Sequence, residues 1–270
     1  MGYVAVKGGS EAIAKAADYF RYRQIVGKSA PLTGDQIREQ MHLAVDRVMG
    51  EGALYAPHLA ALALKQSAGD TLEAAFMVRA YRTTQPRLGY SLPADTSRMR
   101  VVRRISAAFK DIPGGQILGP TPDYTLRLLD FNLLDDSPGA HREAIKRMFT
   151  KMPDKEPIPD TLPKVIDLLR RENLLVETIP ASDREAAPFD LTRHSITLPA
   201  PRSAALQAMA MGETGGLLAL AYSNMRGFGS THPTVGELRV GYLPIAVEDP
   251  HGTEPEIIGE VMVTEAEVIC

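Results

Sequence analysis

The chain has 270 residues, 44% hydrophobic and 23% charged, with 30 Lys and Arg against 33 Asp and Glu, a formal charge of −3. That balance excludes a disordered chain, which needs low hydrophobicity and high net charge, and argues against a general nucleic-acid binder, whose domains are basic. The sum hides two poles: residues 79–110 carry eight Lys or Arg against Asp95 alone, a local +7, and residues 248–269 carry seven Asp or Glu with no cation.

In chain order, Tyr3-Val4-Ala5-Val6 reads as a short strand stopped by Lys7-Gly8-Gly9. Ser10 is expected to cap a helix with Ala12, Ile13, Ala16, Ala17 and Phe20 on its apolar side. A second helix starts near Thr33, its stripe being Ile37, Met41, Val45 and Val48, and ends at Gly50 and Gly52. Leu59 to Gln66 forms a third, closed by Gly69. Asp70 or Thr71 caps a fourth through Ala74, Met77, Val78 and Tyr81. A fifth is expected from Arg98 to Phe109, with Val101, Val102, Ile105 and Phe109 together. Tyr124 to Leu134 also reads as helix.

Prolines crowd 135–201, where helices at about 140–150 and 162–173 sit in a segment that is otherwise loop. Helical pattern returns at 202–211. Leu217 to Ser223, Leu238 to Val247 and Ile257 to Ile269 read as strands, the last with one wet face. The reading is α+β in three regions: 1–135 mainly helical, 136–201 a Pro-rich connector with short helices, and 202–270 an α+β region.

The single cysteine, Cys270, allows no intramolecular disulfide, so a reducing, cytoplasmic setting is expected. One cysteine also cannot hold an iron–sulfur cluster or a Cys-rich zinc site. The six histidines form no H-E-x-x-H motif, and no run approaches the length of a membrane span. No metal ligand is assigned. The chain stops at Cys270 inside a strand-like run, which points either to a truncated chain or to a last strand lying against a partner.

Four stretches could carry chemistry. Lys110 to Tyr124 holds Gly114, Gly115 and Gly119 between prolines, with Lys110 and Asp111 in front and a helix start near Asp123. Backbone N–H groups of glycines and a helix N-terminus suit an anion. Pro120 follows Gly119, so this is no P-loop, and a rigid turn is the alternative. Arg79 and Arg82 lie one turn apart, and Arg100, Arg103 and Arg104 are expected to share a face of the next helix. Guanidinium groups hold phosphate oxygens bidentately, so the set suits a polyphosphate, a solvated face being the alternative. Asn224 to Pro233 offers Arg226 and His232 on a glycine-bearing loop after a strand, with a plain surface histidine as the alternative. Glu237 and Arg239 share one strand face, either as a structural ion pair or as part of a site. Neither G-x-S-x-G nor G-x-G-x-x-G occurs.

Tyr3-Val4-Ala5-Val6-Lys7-Gly8-Gly9, Leu43-Ala44-Val45-Asp46-Arg47-Val48-Met49, Leu62-Ala63-Leu64-Lys65-Gln66 and Arg79-Ala80-Tyr81-Arg82-Thr83-Thr84 resemble the PhnI family. So do Arg103-Arg104-Ile105-Ser106, Lys110-Asp111-Ile112-Pro113-Gly114-Gly115-Gln116, Leu118-Gly119-Pro120-Thr121 and Arg127-Leu128-Leu129-Asp130-Phe131. Leu218-Ala219-Leu220-Ala221-Tyr222-Ser223, Arg226-Gly227 and His232-Pro233 extend the resemblance. It implies an α+β subunit of the carbon–phosphorus lyase core complex, with PhnG, PhnH, PhnJ and PhnL as partners and no nucleic acid or membrane. It also implies displacement of adenine from ATP by an alkylphosphonate, to give ribose 1-alkylphosphonate 5-triphosphate, and purine nucleosidase activity on ATP and GTP by the subunit alone. A non-catalytic scaffold of the same complex is the alternative.

Family members are longer, so the resemblance implies a truncated chain whose possible zinc ligands fall outside it. Substitution at C1 of ribose passes through an oxocarbenium-like state. On that chemistry Arg79, Arg82, Arg103, Arg104 and Lys110, with Gly114, Gly115 and Mg²⁺, are candidates to hold the triphosphate. Asp111, Asp123 and Glu237 are candidate acid and carboxylate groups, and His232 and Arg226 candidate positioners of the phosphonate or purine.

Overall fold

The computed structural model describes residues 7–106, 128–134, 137, 139–150, 161–174, 188–210, 234–249, 251–252 and 254–269. The chain divides into two compact units, Met1–Leu88 and Gly89–Cys270. The expected strands at 3–6 and 217–223 lie outside the described residues.

The first unit is helical. Helix α1 spans Gly9–Arg23 and begins after Gly8, whose φ of 93° suits glycine, so Ser10 lies inside the helix rather than capping it. None of its residues is buried. The expected second helix is two. Helix α2 (Gly34–Gln40) opens with a capping box, in which Gln36 N–H donates to Thr33 Oγ1 at 3.1 Å and Thr33 N–H donates to Gln36 Oε1 at 2.9 Å. Met41, at φ −113° and ψ 36°, breaks the helix before α3 (His42–Gly52). Helix α4 (Pro57–Gln66) starts on proline, which has no N–H to leave unpaired. Asp70 caps α5 (Thr71–Thr83) by accepting from the Leu72 and Glu73 N–H groups.

Ile37, Val45, Val48, Met49, Leu64 and Val78 form the core of this unit, between alanines 60, 61, 63, 74 and 75. Alanine lets helix backbones approach. At the tightest point, a Cβ on Gly52 would lie 2.6 Å from Val78 Cγ1.

The second unit contains an antiparallel sheet in the order β1–β2–β3: Arg100–Ser106, Thr234–Val247 and Glu256–Ile269. The helix expected over 98–109 is a strand over its described part, after a 3-10 turn at Thr96–Arg98. Val101, Val102 and Ile105 are β-branched and suit a pleated, paired surface. Pairing with residues 237–242, more than 130 positions on, overrides the local 3.6-residue pattern. The helix expected over 124–134 is, where described, a 3-10 turn at Phe131–Leu134. Helices α6 (Ala140–Thr150), α7 (Val165–Arg171) and α8 (Arg202–Ala210) fall where expected. Helix α7 is shorter than expected because Pro163 keeps the residue before it extended and offers no N–H.

Candidate functional site

In antiparallel pairs, residues directly opposite share a face. Arg104 sits opposite Arg239, which sits opposite Glu265; Glu237 sits opposite Glu267. Two arginines and three glutamates therefore crowd one face of the sheet. Arg103 pairs with Val240 one position away and so projects to the other face, as does Arg100 opposite Tyr242. The expectation that Arg100, Arg103 and Arg104 share a face is corrected: it followed from helical spacing, and a strand alternates.

The crowded face is a closed network. Arg104 Nε donates to Glu237 Oε1 at 2.5 Å, both side chains being 0% exposed. Arg239 donates to Glu265 Oε2 from Nε at 3.0 Å and again from Nη2. Lys164, just before α7, donates to Glu265 Oε1 at 2.7 Å and to Thr96 Oγ1 at 2.6 Å. The Val165 N–H donates to Glu237 Oε2 at 2.8 Å, and the Ile166 N–H to Glu267 Oε2 at 3.3 Å. Three cations thus face three anions.

Burial raises the Glu265 carboxyl, but hydrogen bonds from Lys164, Thr96 and Arg239 outweigh it and hold the group below its ordinary value. Glu267 moves the other way: burial raises it, the Glu237 carboxylate raises it further, and the Ile166 N–H offsets only part.

This placement answers the alternative left open for Glu237 and Arg239. Their nearest approach is 3.6 Å, and each has a better partner, Arg104 and Glu265 respectively. Arg104 and Glu237, nominated for triphosphate binding and catalysis, are both buried and paired with each other. The sequence reading missed Lys164, Thr96, Glu265 and Glu267. The two glutamates could have been found, since their spacing puts both on the face of β3 that meets Glu237 and Arg239.

Arg79 and Arg82 lie on α5 in the first unit. Arg79 Nη2 donates to the Glu51 carbonyl at 3.0 Å and Arg82 Nη1 to the Gly52 carbonyl at 3.2 Å. They satisfy carbonyls that the end of α3 leaves without helical partners. Lys110, Asp111, Gly114, Gly115, Asp123, Arg226 and His232 lie outside the described residues. Of the described residues that flank them, Ser106 pairs with Glu237, three positions after Thr234.

Among the described residues, no group of three or more His, Cys, Asp or Glu could hold a metal ion. The crowded glutamates already answer to arginine, lysine and backbone N–H groups, so they do not suit zinc. Among the described residues, no helix is long and apolar enough to cross a membrane.

Residues 2–270 match the family model for bacterial phosphonate metabolism protein (PhnI). A putative C-P lyase subunit protein HtxH of Stutzerimonas stutzeri is 54% identical over 272 residues, covering 100% of this chain and 72% of that protein. The alpha-D-ribose 1-methylphosphonate 5-triphosphate synthase subunit PhnI of Rhizobium meliloti is 45% identical over 268 residues, covering 99% of this chain and 70% of that protein. The subunit of the same name from Escherichia coli is 46% identical over 268 residues, covering 99% and 72%.

Proposed function

The chain belongs to the PhnI family of bacterial phosphonate metabolism proteins, and from that membership we propose that it is a subunit of a ribose 1-alkylphosphonate 5-triphosphate synthase in carbon–phosphorus lyase metabolism. The observation that carries this reading is 45–46% identity, across 99% of the chain, to two synthase subunits. PhnG, PhnH, PhnJ and PhnL are the proposed partners, and the proposed setting is the cytoplasm.

The proposed reaction takes Mg-ATP and an alkylphosphonate. A phosphonate oxygen attacks ribose C1, the C1–N9 bond breaks, and adenine leaves with a proton. The chain alone would use water in place of phosphonate, acting as a nucleosidase on ATP or GTP. A departing purine needs an acid, and a ribosyl cation needs a carboxylate. We assign these tasks to Asp111 and Asp123. Arg103, Lys110, Gly114 and Gly115 are proposed to hold the triphosphate, and Arg226 and His232 to position phosphonate or purine.

A scaffold role for the chain is the second reading, favoured by the burial of Glu237 and Arg104 in structural bonds. Incubating the purified chain with ATP and measuring free adenine separates the two. Adenine release abolished by Asp111→Asn supports the enzyme; no release with retained binding to partner subunits supports the scaffold.

A further inference from the structure

The segment Thr161–Leu174 carries α7 and lies against the crowded face of the sheet. Four of its backbone groups within five residues each meet an ionised side chain. The Leu162 carbonyl accepts from Arg239 Nη1 at 3.4 Å and the Pro163 carbonyl from Arg104 Nη2 at 3.0 Å. The Val165 and Ile166 N–H groups donate to Glu237 and Glu267. The residue between them, Lys164, places its ammonium between Thr96 and Glu265.

Apolar anchorage is slight by comparison, since only Val165 and Leu169 of this segment are buried. Apolar burial is non-directional. Charge-assisted hydrogen bonds fail with small displacements and are costly to leave half made. A segment held this way has one seat and leaves it as a whole. The sheet needs no such help: its strands are joined by their own ladders, and Arg104–Glu237 and Arg239–Glu265 pair within it.

We propose that Thr161–Leu174 is a charge-clamped strap that docks on and releases from the sheet as one unit, with Lys164 as its key. The groups facing Lys164 and the strap backbone are Arg104 from β1, Glu237 and Arg239 from β2, and Glu265 and Glu267 from β3. Asp95, ahead of β1, adds its field to Lys164. The docked state balances three charges against three. Withdrawal of Lys164 leaves two arginines among three partly or fully buried glutamates, which favours release.

Hydrogen exchange read by mass spectrometry on the full chain tests this, with Lys164→Met as the variant. Methionine keeps the unbranched stem, and Glu265 keeps Arg239 and Thr96, so the fold survives. In the unaltered chain, peptides from 161–174 should exchange together and faster than peptides from 238–243. In the variant, exchange over 161–174 should rise about tenfold or more, with the sheet peptides changing far less. Unchanged exchange over 161–174, or a rise shared equally by strap and sheet, overturns the proposal.

Discussion

Glu237 and Arg104 stand 133 residues apart and meet at 2.5 Å, neither side chain exposed to solvent. A pair this dry contributes little over apolar residues of the same size, yet removing one member strands the other as a buried charge. Glu237→Leu should therefore cost about 3–5 kcal/mol, and adding Arg104→Met should recover part of it, the Val165 N–H and the Pro163 carbonyl still lacking their partners. Urea denaturation of the single and double variants measures both. A single-variant cost below about 1 kcal/mol would show that the pair is not buried as described.

Glu265 and Glu267 should give opposite pH signatures. Glu265 is held below its ordinary value of 4.5, so its contribution to stability is present above that value and fades as pH falls through the lowered one. Glu267 is raised, so its favourable contribution is present below 4.5 and is lost as pH rises through the raised value. Glu265→Gln should destabilise at pH 7 and converge with the unaltered chain in acid. Glu267→Gln should match or exceed the unaltered chain at pH 7 and lose that advantage in acid. Thermal melts from about pH 2 to 8 read both, and parallel curves would refute the assignment.

The contact of Gly52 on α3 with Val78 on α5 makes a volume test. Gly52→Ala would push a methyl to 2.6 Å from Val78 Cγ1, inside any real contact. Overpacking of this kind costs about 1–3 kcal/mol. The worst clash is with the Val78 Cγ1 methyl, with Val78 Cβ next at 3.0 Å, so adding Val78→Ala should return part of the loss. Denaturant midpoints for the two variants check this, and independent, additive losses would count against the contact.

The arginines separate by role. Arg79 and Arg82 serve the end of α3, so Arg79→Ala should lower stability by about 1 kcal/mol, the typical net worth of one hydrogen bond, because Arg79 is solvent-exposed. ATP affinity should hold. Arg103→Glu, by contrast, should abolish ATP binding if the proposed triphosphate site is right. Calorimetric titration of ATP into both variants tests the division, and unchanged affinity for Arg103→Glu would remove that residue from the site.

Much of the fold was legible because local signals and tertiary packing agree there. Thr33, Asp70 and the apolar spacing after them mark the helical stretch that α2 and α3 share and α5, and the apolar segment Leu238 to Val247 marks most of β2. The reading failed over Arg100 to Ser106, where Val101, Val102 and Ile105 fit a helical stripe as well as a strand. Only the distant partner strand decides between them. That one error carried into the site, because three arginines on a helix share a face and on a strand do not. Glu237 was recognised as notable for a reason that holds, its spacing from Arg239. Its burial depends on Arg104 and on the Val165 N–H, which no local pattern foretells.

The proposed reaction is substitution at ribose C1 of ATP by a complex containing this chain. The direct measurement is phosphorus NMR with parallel adenine quantitation, after the chain and its partner subunits are supplied with Mg-ATP and methylphosphonate. One adenine should appear for each methylphosphonate converted to a ribose 1-phosphonate ester that retains the 5-triphosphate. ATP and methylphosphonate left unchanged by the assembled complex, or adenine released with no phosphonate ester formed, would contradict it.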